Sequence, residues 1–216
     1  MSSLSNNIVT FLFCFIMLGF YLYYDKRIST AIAKASTGLP EFIAFLKNIN
    51  HEELPYLFEE INQKAEDTVI ANCWKGYMHG IIKNHDENGD TLFAKESADN
   101  YFDSEEILGK YLNVNYYGNA AGQFTGFGIL GTFVGLTLGI AGILSNMDDM
   151  KQGIEVLLSG VNTAFLTSIV GIILSMCYTW RYKKKTYKLN EKVQEICLIL
   201  DDLFPKKTTE MNLYDQ

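Results

Sequence analysis

Hydroxyl-bearing residues recur at helical spacing inside apolar sequence. Ser159, Thr163, Thr167, Gly171 and Ser175 follow one another every fourth position, and Thr132 stands within GILGTFVGLTLG, residues Gly128 to Gly139. On a helix, a spacing of four makes one slowly drifting stripe. Hydroxyl oxygens carried into an apolar layer can coordinate a small cation or hold waters along a proton path, since each both donates and accepts. The same groups can instead bond back to their own helix carbonyls and serve packing alone. No Asp, Glu, Lys, Arg or His interrupts these apolar runs. Hydroxyls do not titrate near neutral pH, and ion-coupled membrane machines rely on an ionisable group. Thr132, Ser159, Thr163 and Thr167 are therefore the candidate ion-path residues, and if the chain forms such a machine the charge-carrying carboxylate must come from another chain.

Small residues accompany the hydroxyls. Gly131, Gly135 and Gly139 recur every fourth residue, with Gly128 extending the ridge, and Gly160, Ala164 and Gly171 answer them in the later run. A lipid-facing helix has no use for such a ridge, whereas a helix packed closely on another does. These seven positions are the expected helix-packing contacts.

Three apolar runs are long enough to cross a bilayer, which takes about 20 residues. The expected organisation is a first transmembrane helix at 1–24, a helical domain at 25–117 and a second span at 118–145. A short loop at 146–155, a third span at 156–180 and an amphipathic helix with tail at 181–216 complete it. The first run could be read as a signal peptide, but Met1–Asn7 carries no Lys or Arg and no small-residue cleavage site follows, which favours an uncleaved helix. Lys26 and Arg27 follow the first run, and Arg181, Lys183, Lys184 and Lys185 follow the third. Basic residues mark the cytoplasmic side, so the N-terminus is expected outside and both 25–117 and the C-terminus inside. The loop holding Asp148, Asp149, Lys151 and Glu155 is net acidic, as an outer loop would be. Tyr21, Tyr23, Tyr24, Tyr178, Trp180 and Tyr182 fall at the boundary that aromatic rings prefer.

Composition narrows the function. The 216 residues carry a net charge of −7, which argues against a nucleic-acid partner. A mean hydropathy of +0.04 averages the apolar runs with an acidic polar segment. Cys14, Cys73, Cys177 and Cys197 are far apart with no CxxC pair, so free thiols are expected rather than a disulfide framework or zinc site. His51, His79 and His85 lack metal-pair spacing and are expected at the surface. Within 25–117, Glu41–Ile49 and Leu57–Ile82 show helical apolar spacing. NHDENGD at 84–90 reads as a turn; its Asp86, Glu87 and Asp90 lack the full spacing of a calcium loop. Asp103-Ser104-Glu105-Glu106 reads as a helix start. Leu189, Val193, Ile196, Cys197 and Leu200 share one face of the tail helix, which is expected to pack on neighbouring helices. Binding of Arg181–Lys188 to the membrane surface is the second choice, and the chain from Pro205 is expected to fray.

GILGTFVGL, a short hairpin, then LLSGVNTAFLTSIVGI with basic residues after it resembles the MotA/TolQ/ExbB proton-channel family over residues 123–185. Gly128, Gly131, Thr132 and Gly135, with the later Thr163–Ala164 pair, carry the specific part, and Thr132 and Thr163 match the family's two pore threonines. The resemblance implies an all-α membrane protein with three transmembrane helices extended into a cytoplasmic helical domain, assembled as a homopentamer. It further implies two copies of a MotB/TolR/ExbD-like single-span partner bearing an intramembrane Asp. Ion flow, H+ with Na+ as the alternative, would then drive rotation in a bacterial inner membrane. Three spans resemble the TolQ and ExbB branches more than MotA, and LLSG-NTAF-TSIVGI is also similar to the ZorA branch, the motor subunits of anti-phage Zorya systems. That branch implies a long cytoplasmic helical tail, and this sequence stops at Gln216.

On this reading the chain is the ring subunit of an ion-driven motor, with no cofactor, no metal and no enzymatic activity. No nucleophile–base or metal constellation is seen in the sequence. The alternative is a packing or scaffold membrane protein, in which the small residues serve helix contact alone and no ion is conducted.

Overall fold

A computed structural model describes the backbone of residues 2–86, 89–145 and 149–206, and their side chains except at 2–7, 9, 84–86, 89–90 and 145. The chain is mostly helical. Its elements are α1 (Ser2–Ala35), α2 (Leu39–Lys47), α3 (Leu54–Glu66), α4 (Ala71–Met78), β1 (Ile81–Asp86) and β2 (Gly89–Ala94). A 3-10 turn (Ala98–Asn100) follows, then α5 (Ser104–Gly109), α6 (Val114–Gly118), α7 (Ala120–Ser145) and α8 (Met150–Leu203). Two compact units result, one of 1–29 with 113–184 and one of 30–112 with 185–216.

In the first unit, Ala120–Leu144 and the apolar part of α8 are long and apolar enough to cross a membrane. Both leave large apolar side chains on the outside, among them Phe133, Leu136 and Ile140 of α7 and Phe165, Ile169 and Ile173 of α8. Their buried faces are the small ones. Along this unit's part of α1, Thr10, Met17, Tyr24 and Ile28 are buried at spacings of seven and four, while Phe11, Phe15 and Leu22 are exposed. Such spacing turns one narrow seam of a helix towards its neighbours.

The second unit has a conventional apolar core. Leu39, Phe42 and Leu46 of α2, Ile61 and Ala65 of α3, Trp74 and Tyr77 of α4, and Ile107 of α5 are buried. Leu189, Val193, Ile196, Cys197 and Leu200 of α8 are buried with them, so the amphipathic face does pack inward as its spacing predicts. Polar ties reinforce the arrangement. Lys47 Nζ reaches Glu195 Oε1 at 2.5 Å, and Ser104 Oγ donates to Asn190 Oδ1 at 2.9 Å. Asp201 accepts from the Ala98 amide at 2.8 Å and from the Ser97 hydroxyl, closing the start of the 3-10 turn. Asp103 caps α5 as expected, accepting from the Glu105 amide at 2.8 Å. Pro40 and Pro55 sit in the first turns of α2 and α3, where their missing N–H costs nothing. Gly38 precedes α2 at φ +78°, a backbone that glycine adopts without strain.

The structure departs from the expectation in two places here. The helical spacing over 57–82 is broken at Asp67–Ile70 into α3 and α4, and Ile81–Ile82 leave the helix altogether. They enter a two-stranded antiparallel hairpin pairing Ile81 with Ala94 and Ile82 with Phe93, so the chain is not purely α-helical. The turn read at 84–90 falls at the closed end of this hairpin. Residues 87–88 and the side chains of His85, Asp86 and Asp90 lie outside the described residues, as do Asp148 and 207–216.

Candidate functional site

The site grows out of the seam between α7 and α8. Gly142, Gly139, Gly135, Gly131 and Gly128 of α7 face Val156, Gly160, Ala164, Thr167 and Gly171 of α8 in turn. One set descends as the other ascends, so the helices run antiparallel in constant register. The approach is as close as backbones allow. A methyl at Gly135 would lie 2.8 Å from the Ala164 amide nitrogen and 2.8 Å from the Gly160 carbonyl oxygen. One at Gly171 would lie 2.8 Å from both the Gly128 Cα and the Phe124 carbonyl oxygen. The seven expected packing residues therefore meet along one line. Ser168 adds an interhelical bond, donating to the Gly128 carbonyl at 3.2 Å.

The candidate hydroxyls divide around this line. Thr163 and Thr167 are buried, 6% and 1% exposed. Thr167 lies against Gly131, whose added methyl would meet the Thr167 Oγ1 at 2.5 Å, and it donates to its own helix at the Thr163 and Ala164 carbonyls, 3.1 and 3.0 Å. Thr132 is half-buried and donates to the Ile129 carbonyl of its own helix at 2.6 Å. Its hydroxyl is thus engaged within α7 and not with Thr163. Ser159 is half-buried one turn before Thr163.

Thr163 has a partner that sequence reasoning missed. Thr10 Oγ1 of α1 donates to Thr163 Oγ1 at 2.9 Å, and both side chains are buried. Phe13 of α1 lies beside the Gly131–Thr167 contact, 3.2 Å from a methyl placed on Gly131. The available signal was the spacing on α1: Thr10 stands in a series with Met17 and Tyr24 at intervals of seven, and all three are buried.

A second cluster closes the first unit at the end where the basic residues lie. Tyr24 donates to Gln123 Oε1 at 2.9 Å. Its one proton being so used, the 2.8 Å contact with Tyr116 is a donation from Tyr116 to Tyr24. Tyr178 donates to the Tyr117 carbonyl at 2.6 Å. Arg181 binds Asp25 through two parallel bonds of 2.9 Å, and that carboxylate holds the guanidinium still more firmly protonated than usual. Of the expected boundary aromatics, Tyr24 and Tyr178 are buried in this cluster while Tyr23 and Trp180 are exposed. No group of three or more His, Cys, Asp or Glu side chains gathers into a metal-ligand set among the described residues. The cysteines are free, with Cys73 and Cys197 buried in the second unit.

Residues 3–215 match the model of the family described as ZorA-like, anti-phage protein ZorA of the Zorya type I system. The chain belongs to the ZorA-like family. Curated relatives agree. It is 23% identical to the Zorya protein ZorA of Escherichia coli O139:H28 (strain E24377A) over 204 residues, 91% of this chain and 27% of that protein. It is 43% identical over 125 residues to the ZorA of Escherichia coli strain ATCC 8739, covering 58% of this chain and 19% of that protein. The chain thus spans about a quarter or less of the length of these ZorA relatives. Among the branches that the sequence resembles, the ZorA branch is the one these matches support.

Proposed function

We propose that this ZorA-like chain is the ring subunit of an ion-driven motor in a Zorya-type anti-phage defence complex of the bacterial inner membrane. The observation that carries the reading is Thr163: its hydroxyl is buried between α1 and α8, within apolar stretches of those helices (8–24 and 156–180) that contain no charged side chain. A buried hydroxyl costs stability unless it is bonded, and Thr163 accepts its bond from another helix, where Thr132 and Thr167 bond only to their own. The first 24 residues form the first of three spans, beside those of α7 and α8, with the N-terminus outside and both 25–117 and 181–216 in the cytoplasm. Five copies surround two copies of a MotB/TolR/ExbD-like single-span protein whose intramembrane Asp carries the ion, H+ by default and Na+ as the alternative. Thr132, Ser159, Thr163 and Thr167 line or support the path, and the glycine seam holds the two helices that bear them. In this role the chain performs no bond-making chemistry and needs no resident cofactor.

The competing reading, a scaffold whose small residues serve packing alone, draws on the seam itself. One experiment separates them. Thr163→Val keeps shape and removes the hydroxyl. In membranes holding the complex with its partner, ion-gradient-dependent activity and protection against phage should fall while assembly persists. Unchanged activity would remove Thr163 from the path. Purification as a pentamer with a single-span partner is expected, and a lone monomer or dimer would favour the scaffold.

A further inference from the structure

Thr132 and Thr167 have both spent their protons on carbonyls of their own helices, at 2.6 Å for Thr132 and 3.0–3.1 Å for Thr167. Thr163 is arranged differently. It is the acceptor of the 2.9 Å bond from Thr10, across 153 residues of sequence. A hydroxyl has one proton and two lone pairs, so one that accepts keeps its own proton to give.

We propose that Thr10 is a positioning residue for the ion path: by donating into Thr163 it fixes that hydroxyl as a donor towards an acceptor oxygen on the path. The inference rests on the reading of Thr163 as an ion-path residue. The alternative state of Thr163 is on view one turn away. A helical Thr with no outside donor turns its proton to the carbonyl three or four residues back, as Thr167 does. For Thr163 those carbonyls belong to Gly160 and Ser159. The Thr10 proton occupies a lone pair of the Thr163 oxygen and orients the group away from that back-bonded state. In surroundings of low dielectric, a hydroxyl that accepts a bond also becomes a better donor, because the two bonds polarise one another. α1 is then more than an anchor: it supplies half of a directed hydroxyl pair.

The test uses the full complex with its partner in membrane vesicles, reading gradient-driven ion flux with pH- and Na+-sensitive dyes alongside the yield of assembled complex. Thr163→Val should abolish flux. Thr10→Val, close in shape, should lower it roughly fivefold, the effect of losing one ordinary hydrogen bond. Thr10→Ser should restore it, and all three should assemble to equal yield. If Thr10→Val does not assemble, Thr10→Cys, a weak donor of similar size, replaces it with the same expected loss. Wild-type flux in Thr10→Val while Thr163→Val is inactive would overturn the positioning role and leave the ion-path reading intact. Equal loss in Thr10→Val and Thr10→Ser would also overturn it, by assigning Thr10 to packing. Wild-type flux in Thr163→Val would overturn the ion-path reading and this inference with it.

Discussion

Gly160→Ala is the sharpest test of the seam between α7 and α8. The added methyl would sit 2.6 Å from the Gly135 carbonyl oxygen, 2.7 Å from the Gly139 Cα and 2.9 Å from the Gly139 nitrogen. All three are backbone atoms, so no side chain can swing aside. Ordinary contact begins near 3.4 Å, so the helices must part by roughly 0.8 Å at this point. A gap of that size forfeits about a quarter to a half of the dispersion energy of each contact it opens. With some 40 atom pairs along the neighbouring seam at ~0.15 kcal/mol each, the loss is about 2 kcal/mol, within the range of about 1–3 kcal/mol for overpacked sites. The gain in helix propensity from Gly to Ala, at most about 1 kcal/mol, counts for less here because α8 stays helical when the hairpin separates within a membrane. Gly126→Ala is the control, since a methyl there meets no heavy atom within 4 Å. Titration of the solubilised protein from mild into denaturing detergent, followed by circular dichroism and tryptophan fluorescence, reads the difference. Gly160→Ala should lose about 2 kcal/mol and Gly126→Ala should lose none. Equal stability of the two variants would refute the argument that backbone contact holds the hairpin.

The clash at Gly142 is of another kind: an added methyl runs into the Val156 Cγ1, a side-chain atom. Gly142→Ala should therefore destabilise in the same titration, and Val156→Ala should relieve it in the double variant, giving a coupling of roughly 1 kcal/mol or more in a double-mutant cycle. In the second unit, burial raises the Cys73 and Cys197 thiols above the ordinary 9.0, with Asp99 hydrogen-bonding Cys197 in the same direction, and burial raises the Tyr77 phenol above the ordinary 10.0. A raised folded-state value favours the neutral form, so this contribution is complete below the unfolded values and is lost as pH rises past them. Denaturant midpoints should be flat from about pH 7 to about pH 9 and fall above it; a midpoint that stays level to about pH 11 would contradict the assignment.

Much of the site was written in local sequence. The four-residue spacing of Gly131, Gly135 and Gly139 required one helical face, and close contact is what a face without side chains does best. The tail face of Leu189, Val193, Ile196 and Leu200 likewise announced its burial, because helical periodicity is a property of neighbours in the chain. The hairpin was not legible. Lys83, Asn84, His85 and Asp86 are poor strand formers, and the pairs that hold β1, Ile82 with Phe93 and Ile81 with Ala94, join positions on two strands. The break at Asp67–Ile70 was hidden for a related reason: apolar spacing continues across it, and Ile61, Ala65, Trp74 and Tyr77 on either side are all buried.

By itself, the sequence determined that apolar helices carry glycines and hydroxyls on their faces and no charge among them. Those properties follow from residue type and the pitch of a helix. Which glycine meets which residue, and which hydroxyl keeps its proton, was decided by tertiary structure alone. The register of α7 on α8 sets Thr167 against Gly131. The placement of α1 brings Thr10 to Thr163 from 153 residues away. A hydroxyl bonds the oxygen within about 3 Å of it, however far off in the chain, and no local pattern specifies which oxygen that will be.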